Sequence, residues 1–185
     1  MLEKLEGLYL YDLGALHSVD PLRYLRKLRL FALDAGITGT RMRLNSLRSI
    51  GRVLSLRKLA LGGRLEIASG GFQSLTELQK LSELSVAPCY PLEDLAILAS
   101  AYPKLCWYTT HPLRRSAASK CRKCGDKKSI PIGKGSKALC ERCDFEKVAR
   151  FVEQFSTLVE RHRKQITKRS RRAPLSQSVI VSTAI

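Results

Sequence analysis

Leucine recurs along the first hundred residues in the spaced pattern Leu-x-x-Leu-x-Leu, whose intervening positions are mostly polar or small. The middle positions of five such segments are separated by 20, 31, 25 and 21 residues. A period in the twenties with one short Leu-x-Leu per unit predicts a repeat, whose strands stack into a parallel sheet over a continuous core. The segments are Leu5/Leu8/Leu10, Leu25/Leu28/Leu30, Leu56/Leu59/Leu61, Leu81/Leu84/Val86 and, more loosely, Tyr102/Leu105/Trp107.

Between these segments the apolar positions recur at three- and four-residue steps, which predicts helices. They are Leu44, Leu47, Ile50, Val53 and Leu54, then Leu75, Leu78 and Leu81, then Leu92, Leu95 and Leu98. Short strands alternating with helices in units of this length resemble the leucine-rich repeat family, and the resemblance covers residues 1–115. It implies an α/β fold: a short solenoid of about five repeats with parallel strands on the concave face and helices on the convex face. The alternative is a leucine-rich protein of amphipathic helices, but helical periodicity alone does not predict the recurring Leu-x-Leu segments.

The residues that flank the leucines define the concave face of such a solenoid. They combine tyrosine and phenylalanine with lysine and arginine, which suits a partner protein that is acidic and partly apolar. The alternative is a solvated face whose lysines only keep the protein in solution. The residues that we expect to bind a partner are Tyr9, Tyr11, Arg29, Phe31, Lys58, Lys104 and Tyr108.

Two Cys-x-x-Cys pairs follow the leucine segments, Cys121 with Cys124 and Cys140 with Cys143, separated by fifteen residues. This spacing is typical of a four-cysteine zinc site, in which Zn²⁺ is tetrahedral and no position is left for a catalytic water. Apolar runs on both sides of Gly-Lys-Gly predict a β-hairpin between the pairs. The segment 116–143 therefore resembles a zinc ribbon with one structural Zn²⁺ per chain, joined to the leucine segments by a linker over 111–120.

After the last cysteine, residues 144–166 predict one amphipathic helix, whose apolar stripe is Val148, Val152, Phe155 and Val159. We expect this stripe to pack on the ribbon or on the solenoid, and dimerisation through the helix is the alternative. His162 lies between two arginines and is expected at the surface.

The tail over 167–185 is basic and then serine-rich, and it predicts disorder. Such a tail is either merely solvated or touches phosphates. The residues for phosphate contacts are Lys168, Arg169, Arg171 and Arg172.

Charge adds a second candidate class of function. The chain carries 33 Lys and Arg against 16 Asp and Glu, a net charge of +17. Residues 1–115 contribute 16 basic and 10 acidic side chains, whereas residues 116–185 contribute 17 and 6, so the C-terminal part carries +11. Four thiolates on one Zn²⁺ reduce that figure to +9, which still attracts polyanions.

No signal peptide and no apolar run long enough to span a membrane is found in the sequence, so we expect a cytoplasmic protein with reduced cysteines and no membrane insertion. No pair of carboxylates, nucleophile with its base, or cofactor loop is recognisable, which argues against an enzyme. The sequence therefore predicts a non-enzymatic module that binds a partner protein through its concave face. The resemblance adds that small intracellular leucine-rich proteins of bacteria include toxin-neutralising proteins and adaptors. The alternative is a nucleic-acid-binding protein that uses the ribbon and the tail.

Overall fold

The computed structural model describes residues 4–36, 42–63, 65–68, 70–109 and 111–172. The described elements confirm a mixed α/β fold with a parallel sheet and a C-terminal helix. In chain order they are β1 (Gly7–Tyr11), β2 (Leu30–Asp34), β3 (Met42–Leu44), α1 (Arg48–Gly51), β4 (Lys58–Gly62), β5 (Leu65–Ile67), β6 (Glu83–Val86), α2 (Leu92–Ala101), β7 (Leu113–Lys120), β8 (Lys127–Pro131) and α3 (Phe145–Arg172).

The main sheet has the strand order β1-β2-β4-β6, and all its described pairings are parallel. Two rows of apolar residues run across it on the side that faces the core. One row is Leu8, Phe31, Leu59 and Leu84, and the other is Leu10, Leu33, Leu61 and Val86. A second sheet, the parallel pair β3 and β5, was not predicted from the sequence.

The register corrects the second leucine segment. The core-facing residues of its strand are Phe31 and Leu33, whereas the pattern had placed Leu28 and Leu30 in these positions. The strand therefore lies three residues later than predicted. Backbone hydrogen bonds fix this register, because the N–H groups of Arg29 and Leu30 both donate to the carbonyl of Glu6, at 2.8 and 2.9 Å. Phe31 was expected on the binding face, but it lies in the core and is fully buried.

The chain between the strands forms short turns more often than full helices. The predicted helical segments contain α1, the ten-residue α2 and a 3₁₀ helix over Gln73–Glu77. Their leucines are buried as expected, except Leu92, which is half-buried, and Leu54, which is 62% exposed. Adjacent turns pack closely at Gly51, where a Cβ atom would lie 2.2 Å from the carbonyl oxygen of Ser74. Short turns therefore suffice to cover this side of the sheet.

The fifth leucine segment forms no strand. Pro103 has no N–H to give to a sheet, and the following residues bond locally, with Cys106 N–H donating to the Tyr102 carbonyl at 3.0 Å. A 3₁₀ helix over Trp107–Thr109 ends the segment. Tyr108, expected on the binding face, is instead 1% exposed. Its ring packs edge-on against Phe155 at 6.4 Å.

The predicted linker over 111–120 contains strand β7, which pairs antiparallel with β8. The hairpin expected around Gly-Lys-Gly is reduced to a single bridge between Ser129 and Leu139. The turn at Gly-Lys-Gly packs against the part of the chain that contains the main sheet, called here the sheet unit. Two backbone hydrogen bonds hold it there, from Gly133 N–H to the Pro88 carbonyl at 2.7 Å and from Lys134 N–H to the Tyr90 carbonyl at 2.9 Å.

Helix α3 runs from Phe145 to Arg172, six residues further than predicted, so residues 167–172 are helical rather than disordered. The rest of the predicted tail, 173–185, lies outside the described residues. The helix packs on α2. Phe155 and Val159 from the predicted stripe are buried, whereas Val148 and Val152 are half-buried. The C-terminal half of the predicted stripe therefore packs on the sheet unit.

His162 is also part of this contact, contrary to its expected surface position. The side chain is 7% exposed. Its Nε2 atom lies 2.7 Å from Oε1 of Glu93 on α2. The stripe continues through the histidine because a polar partner on α2 satisfies the ring nitrogen.

We expect Phe155→Ala to lower the free energy of unfolding by about 3–5 kcal/mol, because it leaves a cavity between α3 and Tyr108. Gln154→Ala, on the exposed side of the same helix, serves as the control and should change the free energy by less than about 0.5 kcal/mol. Chemical denaturation measures both. A loss below about 1 kcal/mol for Phe155→Ala would show that α3 is not part of the cooperative core.

Candidate metal centre and sheet-face groove

The four cysteines predicted as ligands lie together, and their Sγ atoms are all within 4.8 Å of one another. Cys124 Sγ and Cys140 Sγ are 3.4 Å apart. In a tetrahedron with Zn–S bonds of about 2.3 Å, neighbouring sulfurs are about 3.8 Å apart. The cluster thus has the size of a four-coordinate site. Its members are Cys121, Cys124, Cys140 and Cys143.

The first cysteine pair lies in the turn between β7 and β8. Gly125 has a φ of +78°, a conformation that residues with a Cβ atom rarely adopt. Its N–H donates to the Cys121 carbonyl at 2.9 Å, and the Cys121 N–H donates to the Asp126 carbonyl at 2.8 Å. This tight turn directs both sulfurs of the pair to one side.

The second pair precedes α3. The N–H of Cys140 donates to the carboxylate of Asp144 at 3.0 Å, and the N–H of Cys143 donates to the sulfur of Cys140 at 3.4 Å. The metal-ligand cluster is therefore attached directly to the start of the helix that packs on the sheet unit.

The Cys121 thiol ionises more easily than a free cysteine, whereas desolvation and the neighbouring sulfurs raise the pKa of Cys124 and Cys143. Backbone N–H groups of Cys124 and then of Lys123 donate to the Cys121 sulfur and lower the pKa of that thiol to about 6. Four thiolates this close repel one another unless a divalent ion lies between them. Four sulfur ligands complete a tetrahedron, so such a site holds metal and offers no open coordination position. The four cysteines can hold one metal ion.

The open side of the main sheet forms a groove, called here the sheet-face groove. Small side chains form its floor: Ala32 and Ala60 on the two central strands and Ser85 on β6 lie in one row with Tyr9. Two adjoining cavities of about 510 and 550 Å³ share this floor. The larger of the two also reaches Trp107, beyond β6. Four strands about 4.8 Å apart make the groove about 14 Å wide between β1 and β6.

Five of the seven residues expected to bind a partner are exposed. Tyr9 and Tyr11 are 71% and 69% exposed on the edge strand. Lys58 pairs with Glu83 at 2.6 Å beside the groove, and Lys104 lines its far side. Arg29 lies just before the start of β2. Phe31 and Tyr108 belong to the core, as described above.

Sequence reasoning missed one residue of the groove floor. Ala60 and Ser85 flank the leucines of their segments and were expected on the concave face, but Ala32 was assigned no face because the second segment was placed three residues early. Aligning that segment on Phe31 would have given spacings of 23, 28 and 25 residues. This more even spacing is the signal that could have found Ala32.

The residues expected to touch phosphates lie at the end of α3 rather than in a flexible tail. Lys168 is exposed there. The backbone of Arg169, Arg171 and Arg172 is helical, while their side chains lie outside the described part of the molecule. These four basic residues therefore belong to a helix, and in the sequence they lie far from the residues that line the groove.

Comparison with family models, curated proteins and solved structures gives no match for this chain. Among the described helices, none has the length and apolar character to cross a bilayer.

We expect purified wild-type protein to contain one metal ion per chain, measured by elemental analysis. Cys124→Ser should lose it, because three thiolates and a hydroxyl bind far more weakly than four thiolates. Cys89→Ser is the matched control, since Cys89 is exposed and lies outside the cluster.

Metal in the control but not in Cys124→Ser is the expected pattern. Wild-type protein without metal, or equal metal in all three proteins, would contradict the assignment of the ligands.

Proposed function

We propose that the chain is a non-enzymatic interaction module that binds a partner protein in the sheet-face groove. The observation that carries this proposal is the shape of the open face of the main sheet. Small residues on the two central strands lie between exposed tyrosines on β1 and Trp107 beyond β6. An α-helix with side chains is about 10–12 Å across, so the groove has room for a helix or an extended segment. Exposed aromatic side chains beside an apolar floor are typical of protein interfaces.

The repeat is part of the same proposal. We assign residues 1–115 to a short leucine-rich-repeat solenoid, supported by the parallel register of four strands whose core-facing residues are mostly leucine. Solenoids of this kind present the strands on one surface and use that surface for binding. The proposal places this protein in the cytoplasm, where its thiols stay reduced.

For the four cysteines we propose one structural Zn²⁺ per chain. The ribbon has few buried apolar residues, Ile132 among them, so its own core is small. Zinc binding contributes about 10–16 kcal/mol in small zinc peptides, which is enough to fold such a unit. Zinc would thereby fix the ribbon turn that docks on the Pro88–Tyr90 loop.

The groove is tested with Ala60→Arg, which fills its floor with a long cationic side chain. We expect at least a tenfold loss of partner, about 1.4 kcal/mol or more. Wild-type and variant chains are immobilised, the retained protein is identified, and its affinity is measured by direct titration. The matched control is Ala118→Arg, which adds the same side chain at an exposed position of β7.

Loss of the partner in Ala60→Arg but not in Ala118→Arg is the expected result. A partner that binds both variants as it binds wild type would place the interface elsewhere and contradict the proposal.

Nucleic-acid binding is the second candidate, favoured by the end of α3. Residues 161–172 contain seven Lys and Arg and no Asp or Glu. Arg161, Arg163, Lys164 and Lys168 are exposed. Beyond the buried His162 the helix therefore offers a cationic surface to phosphates.

A labelled single-stranded oligonucleotide tests this candidate through the salt dependence of its binding. If Lys164 and Lys168 contact phosphates, Lys164→Gln/Lys168→Gln should reduce the slope of log affinity against log salt by about 1.4. An unchanged slope would exclude these two contacts. Arg48→Gln/Arg52→Gln, at exposed positions outside the ribbon and α3, is the control with the same loss of charge.

A further inference from the structure

The edge of the main sheet at which the strands begin carries a concentration of positive charge. Because the strands are parallel and in register, their starting residues come side by side. The carbonyl of Arg29 accepts the N–H of Arg57 at 2.7 Å, and the carbonyl of Arg57 accepts the N–H of Ser82 at 2.8 Å. The backbones of these residues are therefore neighbours, about 4.8 Å apart from strand to strand.

Five cations from three successive units surround one shallow cavity of about 290 Å³ at this edge. All five are exposed. Like charges held this close raise the free energy of the folded chain, which an anion bound among them would offset. We call this cluster the basic ledge; it consists of Arg26, Lys27, Arg29, Arg57 and Lys80.

The chain supplies little compensating charge. Among the described residues, Glu6 is the one acidic side chain that lines the cavity. Its carboxylate lies 3.8 Å from Arg29, and both side chains are about 60% exposed, so the pair contributes little. Within the described ranges, the side chains of the other four cations have no ion pair or hydrogen bond. The ledge thus has a surplus of four positive charges.

The basic ledge adjoins the sheet-face groove. Arg57 lines the ledge cavity and the next residue, Lys58, lines the groove. Lys58, at the boundary between the two, already pairs with Glu83, whereas Arg57 has no ion pair within the described residues. One bound segment can therefore place apolar residues in the groove and acidic residues on the ledge.

We propose that the basic ledge binds an acidic stretch of the partner protein, next to the apolar stretch that lies in the sheet-face groove. This inference rests on the proposed function of the groove and adds the chemistry of the partner. The ledge spans two strand spacings, about 10 Å, which suits a few carboxylates. A nucleic-acid strand requires a longer cationic track, commonly of about 4–16 nucleotides.

Fluorescence anisotropy with three labelled probes tests the ledge. The probes are an oligo-glutamate peptide, a composite peptide that joins a leucine–alanine segment to a run of glutamates, and a single-stranded oligonucleotide of equal charge. The ledge variant is Arg26→Glu/Arg57→Glu/Lys80→Glu. The control, Arg48→Glu/Arg114→Glu/Arg150→Glu, changes the net charge by the same amount at exposed positions outside the ledge and the end of α3.

We expect the ledge variant to bind oligo-glutamate at least about tenfold more weakly than wild type, and the control to stay within about twofold. Equal losses in the two variants would mean that net charge alone attracts the peptide, and would overturn the proposal. So would an absence of peptide binding to wild type. If the ledge variant loses the oligonucleotide more than the peptide, the ledge is a nucleic-acid surface and the proposal is wrong.

Two further variants keep the test decisive. Should the triple reversal prevent folding, the neutral Arg57→Gln should still weaken oligo-glutamate binding about threefold, and an unchanged affinity contradicts the ledge. Ala60→Arg separates the ledge from the groove. If Ala60→Arg weakens binding of the composite peptide while the ledge variants do not, the groove proposal is supported and the ledge proposal is wrong. If only the ledge variants weaken binding of that peptide, the ledge proposal is supported and the groove proposal is wrong.

Discussion

The parallel register of β1, β2, β4 and β6 is the constraint on which the other features of the sheet unit depend. One alignment of backbone hydrogen bonds places Leu8, Phe31, Leu59 and Leu84 in a buried row. The same alignment places Ala32 and Ala60 side by side on the opposite face. It also brings the residues that precede the strands to one edge, where cations from three units meet. Core, groove and basic ledge are thus three consequences of a single pairing, since side chains of a strand alternate between its two faces.

A stack of strands must be closed at its ends, because the last strand exposes both apolar side chains and unpaired backbone groups. Beyond β6 the chain turns through a 3₁₀ helix at Trp107–Thr109 instead of forming another strand. Helix α3 then contributes Phe155 and Val159 to the same core. The contact between Tyr108 and Phe155 joins these two segments. The C-terminal helix therefore covers the leucine core, which explains why Phe155 and Val159 of its apolar stripe are buried within one chain.

The sequence predicted best those features that depend on nearby residues. The spacing of four cysteines identified a cluster that the fold brings within 4.8 Å, because each Cys-x-x-Cys turn sets its own geometry. The second strand was misplaced because Leu25, Leu28, Leu30 and Leu33 offer two overlapping patterns. Only pairing with Glu6, more than twenty residues away, selects the pattern that buries Phe31. Tyr108 and His162 were assigned to the surface for the same reason, since Phe155 and Glu93 approach them from distant parts of the chain.

The cysteine cluster and the groove are connected through one turn. Gly133 and Gly135 both have positive φ, at +116° and +77°, and the turn between them bonds to the Pro88–Tyr90 loop. Pro88 also lines the end of the sheet-face groove. A metal ion bound by both Cys124 and Cys140 would close the loop that carries this turn. The turn would then have less conformational freedom before it docks, so docking would cost less conformational entropy. Metal ligation at the cysteines would therefore stabilise the wall of the groove without any ligand contacting the metal, which is the role expected of a closed four-sulfur site.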